Sequence, residues 1–490
     1  MEENRYQWPP AQPSRDGYHT GKKELIFAGL AVVWSLLLCN SVYAGGFNLG
    51  FGLSVIGMIL CGVGYLLCVG FRPGFYSGAL LLCSLLIAAG FGWTGDGMVK
   101  FVMFGFLFLS ANLGLCLMAG KNTWDPGHVG SVWDAPWALF QLGVGKLPES
   151  CKGFTAALRP DSNGRKGGAF LLGLCLAVPV LSVVLPLLIG ADAAFEGLIS
   201  RLPELRVEEI LFTIVFGVCL GAVVYTQGVA MKYAPAPGKT EKARKGMSAI
   251  TVNTVLGCLC FVYLVYLLSQ LAYFVGGFSG LLPEGYSMAE YARRGFFEMA
   301  GLCGVDLVVM TASLALVDKK TRAPKSTRLF CLAIGLVTMF LICTASAKMF
   351  MYIDAYGMSR RRLLTQIIML FFGLTTLVVS VWLFVPRLPY MKVVVLGALL
   401  IGLCTFWADV DTQVARYNVD AYLSGRAETV DVWYLSSLSS GAQVHLERLA
   451  EQAPESTVAR WARDALQCNR QIEDLRDWNY LDALTQKWAD

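Results

Sequence analysis

The chain has 490 residues, 56% of them hydrophobic and 15% charged, with a mean hydropathy of +0.55. A soluble core of this size needs no repeated apolar runs of about 20 residues, the length that crosses a bilayer as helix, so an ordinary soluble protein is excluded. The net charge of +5 is modest, and the lysines and arginines cluster between apolar runs. That pattern points to control of membrane topology and away from a nucleic-acid surface.

Residues 1–23 form a polar lead containing QWPPAQPSRDG, expected to be cytoplasmic. The apolar stretch 24–43 resembles a signal peptide, with Val42 and Ala44 near a cleavage site. A second apolar run follows almost at once, so a retained first helix is expected. Further spans are expected at 48–69, 75–94, 98–119, 169–190, 209–230, 249–273, 295–317, 328–347, 365–386 and 391–407. Together they predict an all-α, polytopic bundle of about eleven helices over residues 24–409.

Positive charge concentrates in the lead and in the 120–168, 231–248 and 318–328 connections. With eleven alternating spans all four lie on one side, and the acidic 191–208 loop lies on the other. The positive-inside rule then places the N-terminus in the cytoplasm of a cell membrane and the C-terminus outside it. The 120–168 connection carries Trp133, Trp137, Leu139, Phe140 and Lys146, which suit a short interfacial helix or a loop with its tryptophans at headgroup level. Pro136 limits how regular the start of such a helix can be.

The stretch KMFMYIDAYGMSRRRLL, residues 348–364, breaks the charge pattern. Alternation sends it outward, yet it carries Lys348, Arg360, Arg361 and Arg362. A miscounted crossing, a re-entrant segment and outvoting by the earlier loops all explain this; the outward assignment is kept. Gly357 suits a turn or a close backbone approach, and Tyr352 and Tyr356 suit the interface. Residues 410–490 read as a polar, helical tail. Val444, Leu446 and Leu449 form one apolar face, and Val458, Trp461, Ala462, Ala465 and Leu466 another.

Several polar residues are candidates for function. Asp306 lies near the middle of an apolar span, where a carboxylate costs roughly 2.5–3.5 kcal/mol to insert. It suits a proton relay, a cation ligand or a hydrogen-bonded packing contact. Glu298 is a second intramembrane candidate. Glu290, Tyr291, Arg293 and Arg294 cluster just before it, and Glu290 and Arg294 can pair at a spacing of four. Arginines here and at 360–362 can hold a lipid phosphate or simply anchor the helix. Asp354 and Tyr356 share the second cluster. Asp409 and Asp411 flank the exit from the last span, and Arg416 and Asn418 follow. Two carboxylates this close suit a cation site, although no further oxygen-rich loop follows, and equally suit helix capping or pairing with Arg360–Arg362; the pairing is preferred because it docks the tail and explains the unusual charge.

His19, His128 and His445 are scattered, and no CxxC pair occurs among the fifteen cysteines. No metal, cofactor or disulfide framework is expected. Walker loop, zinc signature and catalytic triad are all missing from the sequence, which lowers the expectation of an enzyme.

The stretches LLPEGY at 281–286, EYARRGFFEM at 290–299 and MYIDAYGMSRRRL at 351–363 resemble two bacterial membrane-protein families of unknown function, DUF4153 and DUF4173. VARYNVDAYLSG at 414–425, VDVWYLSSLS at 430–439 and LRDWNYLDAL at 475–484 add to the second resemblance. It implies a polytopic bacterial membrane protein and carries no catalytic residues to transfer. The leading expectation is a signalling or accessory component of the cell envelope. Its expected partners are membrane lipids and another membrane or envelope protein, with no nucleic acid. The alternatives are a proton- or cation-coupled transporter of small solutes centred on Asp306, and a transferase acting on a lipid-linked or phosphorylated substrate. In the transferase the arginines hold phosphate and Asp354 or Asp306 acts as base.

Overall fold

A computed structural model describes residues 18, 20–158, 184, 207–237, 247–278, 296–316, 325–453, 457–466 and 479–481. The regular elements among these residues are helices. Two compact units divide the chain, Met1–Thr240 with Arg470–Asp490, and Glu241–Asn469.

In the first unit, α1 spans Lys22–Gly45, α2 Leu49–Val69, α3 Phe75–Gly90 and α4 Gly97–Met118. Helix α2 stops at Gly70, whose φ of 104° is left-handed and lets Phe71 N–H reach back to Leu66 O at 3.0 Å. Asp96 caps α4 by accepting from Met98 N at 3.0 Å and Val99 N at 3.3 Å. Short helical turns follow at Val129–Trp133, α5 Asp134–Trp137, a π-turn at Ala138–Val144, and α6 Leu147–Leu158. Trp133, Trp137 and Phe140 stay exposed along them. Residues 134–144 thus run on as one helical stretch, α-helical and then π-helical, with Pro136 in its first turn.

Helix α7, Val207–Tyr233, runs antiparallel against α1. Gly217 and Gly221 make the close approach possible: a Cβ on either would lie 2.9 Å from the Cα of Leu36 or Val32. Spaced four apart, they bring two apolar backbones together as small residues do in membranes.

The first unit has two distinguishable ends. One holds Glu24, Tyr65, Lys121 and Lys232. The other holds Asn48 with Lys100, Asn40 with Glu209, and the ring contact of Phe51 with Phe91. Asn479–Leu481 dock on this second end. Tyr480 N donates to Gly92 O at 2.9 Å, Leu481 N to Trp93 O at 3.3 Å, and the Tyr480 and Trp93 rings stack at 4.8 Å.

The second unit contains α8 Ala249–Phe278, α9 Phe296–Leu316, α10 Lys325–Tyr356, α11 Arg360–Phe384 and α12 Tyr390–Ala408. Helix α10 packs on α8, α9 and α11, and α11 on α12. One apolar core gathers Leu256, Met310, Ile334 and Val379; another gathers Cys303, Leu341, Ala345 and Met369. Four amphipathic helices follow: α13 Val410–Leu423, α14 Val432–Ser436, α15 Ser440–Gln452 and α16 Thr457–Leu466. Helix α13 rests on α11 and α12, and α15 rests on α13 and α16.

Among the described residues, eight helices are long and apolar enough to cross a membrane: α1, α2, α4, α7, α8, α10, α11 and α12. Helix α3 and the Met299–Leu314 part of α9 are apolar but shorter. The expected span at 169–190 lies, Val184 apart, outside the described residues.

Candidate functional site

The stretch 348–364 is a tight turn between two long helices. Helix α10 continues unbroken to Tyr356, and α11 starts at Arg360. Gly357 makes the turn with φ +74°, a conformation that costs a residue with a Cβ. Ser359 caps α11 by accepting from Arg362 N at 3.4 Å. Asn418 of α13 reaches across: its Oδ1 accepts from Met358 N at 2.9 Å, and its Nδ2 donates to Met358 O at 2.8 Å.

The three arginines of this turn have three different surroundings. Arg360 makes a two-pronged ion pair with Asp411, its Nε donating to Oδ1 at 2.7 Å and its Nη2 to Oδ2. The Asp411 side chain is 0% exposed and that of Arg360 27%. Asp411 Oδ2 also accepts from Ser439 N at 2.8 Å, just before α15, and Arg360 N donates to Tyr434 Oη of α14 at 2.8 Å. One carboxylate thus ties the start of α11 to α13 and the approach to α15. Arg362 donates to Tyr356 O at 2.9 Å and to Gly357 O, capping the end of α10, and sits 4.0 Å from the Tyr352 ring centroid. Such a capping cation suits the carbonyl-rich end of a helix. Arg361 is exposed, as are Asp354 and Tyr356.

The carboxylates at the span exit also divide their work. Asp411 takes the arginine, whereas Asp409 caps α13, its Oδ2 accepting from Thr412 N at 3.0 Å and from Thr412 Oγ1. The expectation of a joint role for Asp409 and Asp411 is corrected to this extent: a capping residue must sit at the helix start, with its carboxylate folded onto that helix. Asp409 is also the one non-glycine with positive φ, 52°, among the described residues. Arg416 lies 3.8 Å from Asp420, which also pairs with Arg448 at 2.6 Å.

Asp306 lies elsewhere in the second unit and is 0% exposed. Its two oxygens accept from Tyr263 Oη of α8 and, at 2.8 Å, from Thr338 Oγ1 of α10. It therefore joins three helices. Glu290, Tyr291, Arg293 and Arg294 lie outside the described residues, as does the side chain of Glu298. In the tail, Leu446 and Leu449 are buried but Val444 is exposed. Ala459 and Ala462 form the buried face of α16, with Trp461 exposed. The expected faces are corrected at Val444 and Trp461, because smaller residues permit the close packing of α16 on α15.

The sequence reading missed a polar cluster in the first unit. Buried Glu24 accepts from Lys232 Nζ at 2.6 Å and from Tyr65 Oη at 3.3 Å. Lys121 Nζ donates to Ala234 O, and burial pushes this ammonium below its ordinary range. In the sequence Lys121 and Lys232 serve only as markers of topology and Glu24 carries no role; the signal present is a glutamate and a lysine just inside apolar runs. Among the described residues, no group of three metal-ligating side chains occurs.

The fold and the run of apolar helices define an integral membrane protein of the all-α, multipass class. Residues 77–449 match the model of a family described as "Domain of unknown function (DUF4153)", and the chain belongs to that family. This match does not extend to DUF4173. No curated protein and no solved structure matches the chain.

Proposed function

We propose that the protein is a signalling or accessory component of a bacterial cell envelope, with residues 410–466 as its output element. The observation that carries this reading is the Arg360–Asp411 pair. A fully enclosed carboxylate holds the membrane hairpin and two segments of the tail together, so displacement of the hairpin is felt directly in the tail. The same reading puts the N-terminus in the cytoplasm and the C-terminus outside. Two observations support it: the lysine- and arginine-rich connections, and the docking of Asn479–Leu481 on the end of the first unit opposite Glu24.

Two rival readings draw less support. A phosphate-handling transferase built on Arg360–Arg362 needs those arginines free and converging, but Arg360 and Arg362 are engaged within the protein. Coupled transport through Asp306 needs access for a proton or cation, but both of its oxygens accept hydroxyl hydrogens in a fully enclosed position.

Cross-linking of the gently extracted protein, read by mass spectrometry, tests the proposal. One reproducible protein partner is expected, cross-linked within residues 410–466, and Arg360→Gln is expected to weaken its retention. Cross-links confined to the membrane helices, or retention indifferent to Arg360→Gln, contradict the reading.

A further inference from the structure

Beside the clamp, and within the second unit, lies a cleft of about 380 Å³, inside the range of roughly 300–1,000 Å³ usual for ligand sites. Its floor is apolar and comes from two membrane helices: Leu363 and Ile367, one turn apart on α11, and Ala408 at the end of α12. Its rim is charged and comes from α13 and the turn after it: Arg416, Asp420 and Arg426. Asp420 is already answered by Arg448, at 2.6 Å on one oxygen, while Arg416 stands 3.8 Å from the other. Arg416 keeps 63% of its side chain exposed. Arg426 is exposed too, donates to Ser424 Oγ at 3.2 Å and stands over the Tyr417 ring at 5.9 Å. The rim therefore has a net positive charge and two guanidinium groups with donors to spare.

An apolar floor under a cationic rim, at the level where α11 and α12 leave their apolar spans, suits an amphipathic anion. On the same two helices Ile368 and Leu370 of α11 and Leu400 and Trp407 of α12 are exposed, as residues of membrane helices that meet lipid are. A chain lying there stays in an apolar setting while its phosphate meets the two arginines, whose planar forks suit phosphate oxygens. With Asp420 engaged, the rim leaves no carboxylate for a choline or ethanolamine cation. We propose that this cleft binds the headgroup phosphate of one anionic phospholipid, with Arg416 and Arg426 as its ligands. The site rests on α11 and α12 being membrane helices and stands whether or not the tail engages a protein.

The test uses the full chain in detergent, titrated with dioleoyl phosphatidylglycerol or dioleoyl phosphatidylcholine and read by native mass spectrometry. Wild type is expected to take one saturable phosphatidylglycerol and to bind phosphatidylcholine more weakly. Arg416→Gln and Arg426→Gln are each expected to weaken phosphatidylglycerol binding by about tenfold, the loss of one charged contact. Both side chains are exposed, so the folds survive; each single variant is read against its own unfolding temperature. Arg361→Gln, outside the cleft, is expected to bind as wild type does. Equal uptake of the two lipids, an undiminished affinity in both arginine variants, or an equal loss in Arg361→Gln overturns the proposal. Displacement of the lipid by millimolar inorganic phosphate assigns the rim to a free anion and overturns it as well.

Discussion

Arg360 and Asp411 form one ion pair, but their removal has different costs. Asp411 is fully enclosed, whereas the Arg360 side chain retains 27% exposure. Arg360→Gln strands a buried carboxylate with Ser439 N as its remaining charge-stabilising donor from the clamp, and breaking a buried pair this way costs about 3–5 kcal/mol. Asp411→Asn leaves an arginine that can turn to water and an amide oxygen that still accepts, so about 1–3 kcal/mol is expected. Chemical unfolding of the tail in the two variants checks the order; equal losses contradict it. Asp306 permits a similar comparison. Asp306→Ala leaves Tyr263 Oη without this acceptor, but the Thr338 hydroxyl can turn its one hydrogen to Ile334 O, 2.9 Å away. A loss of about 1–3 kcal/mol is expected in thermal unfolding, with transport of candidate solutes unchanged. A large transport defect in a folded Asp306→Asn variant contradicts the structural role. Asp306 and Asp411 both stood out in the sequence because a lone carboxylate in or beside an apolar run must find partners. Their partners were less legible. Tyr263 lies 43 residues from Asp306, and nothing local marks its hydroxyl as the donor.

At the scale of elements, the turn between α10 and α11 and the contact between α1 and α7 both depend on glycine. Gly357 has φ +74°, and a Cβ there would come within 2.6 Å of Asn418 Oδ1. Gly357→Ala pays the left-handed penalty of about 1–2 kcal/mol and also displaces Asn418 from Met358. Faster proteolysis between α10 and α13 is the expected readout, and an unchanged pattern contradicts it. Gly221→Ile forces α7 away from α1, since a Cβ there already lies 2.9 Å from Val32 Cα; overpacking of this kind costs about 1–3 kcal/mol. Gly357 was readable as a turn. The Gly217–Gly221 contact was not, because many glycines sit in the spans and spacing alone does not say which face meets a neighbour. In α15, burial pushes the His445 imidazole below its usual value, as do Arg448 and Arg416, while Asp420 acts the other way. The unfolded chain then takes up the proton first. Tail stability is full above the unfolded value, near pH 6.5, and is lost as the pH falls through the lower folded value. His445→Gln is expected to flatten that acid limb of an unfolding-against-pH curve; an unaltered limb contradicts the assignment.

For the whole molecule, the apolar runs prescribed the helices well, because a bilayer demands long stretches with every backbone group bonded internally. Helices meet ten of the expected spans, but α10 exceeds its span by a full turn and more at the C-terminal end, reaching Tyr356. The polar residues MYIDAY hid that extension from a hydropathy reading, although Arg362 and Tyr352 stabilise it by capping and ring contact. The return of Asn479–Leu481 to Gly92 and Trp93 was likewise invisible, since backbone hydrogen bonds leave no residue signature and nothing local pairs Tyr480 with the ring of Trp93, far away in the chain. The proposed topology predicts that a membrane-impermeant label, applied to intact cells, reaches a cysteine placed at Tyr480 and not one placed at Lys22. The opposite pattern contradicts it. The most direct test of the clamp is hydrogen exchange of the full chain in nanodiscs, wild type against Arg360→Gln. Faster exchange throughout residues 410–452, with α10 and α12 unchanged, is the predicted result. Tail amides that exchange at the wild-type rate in a folded variant would show that the hairpin does not hold the tail.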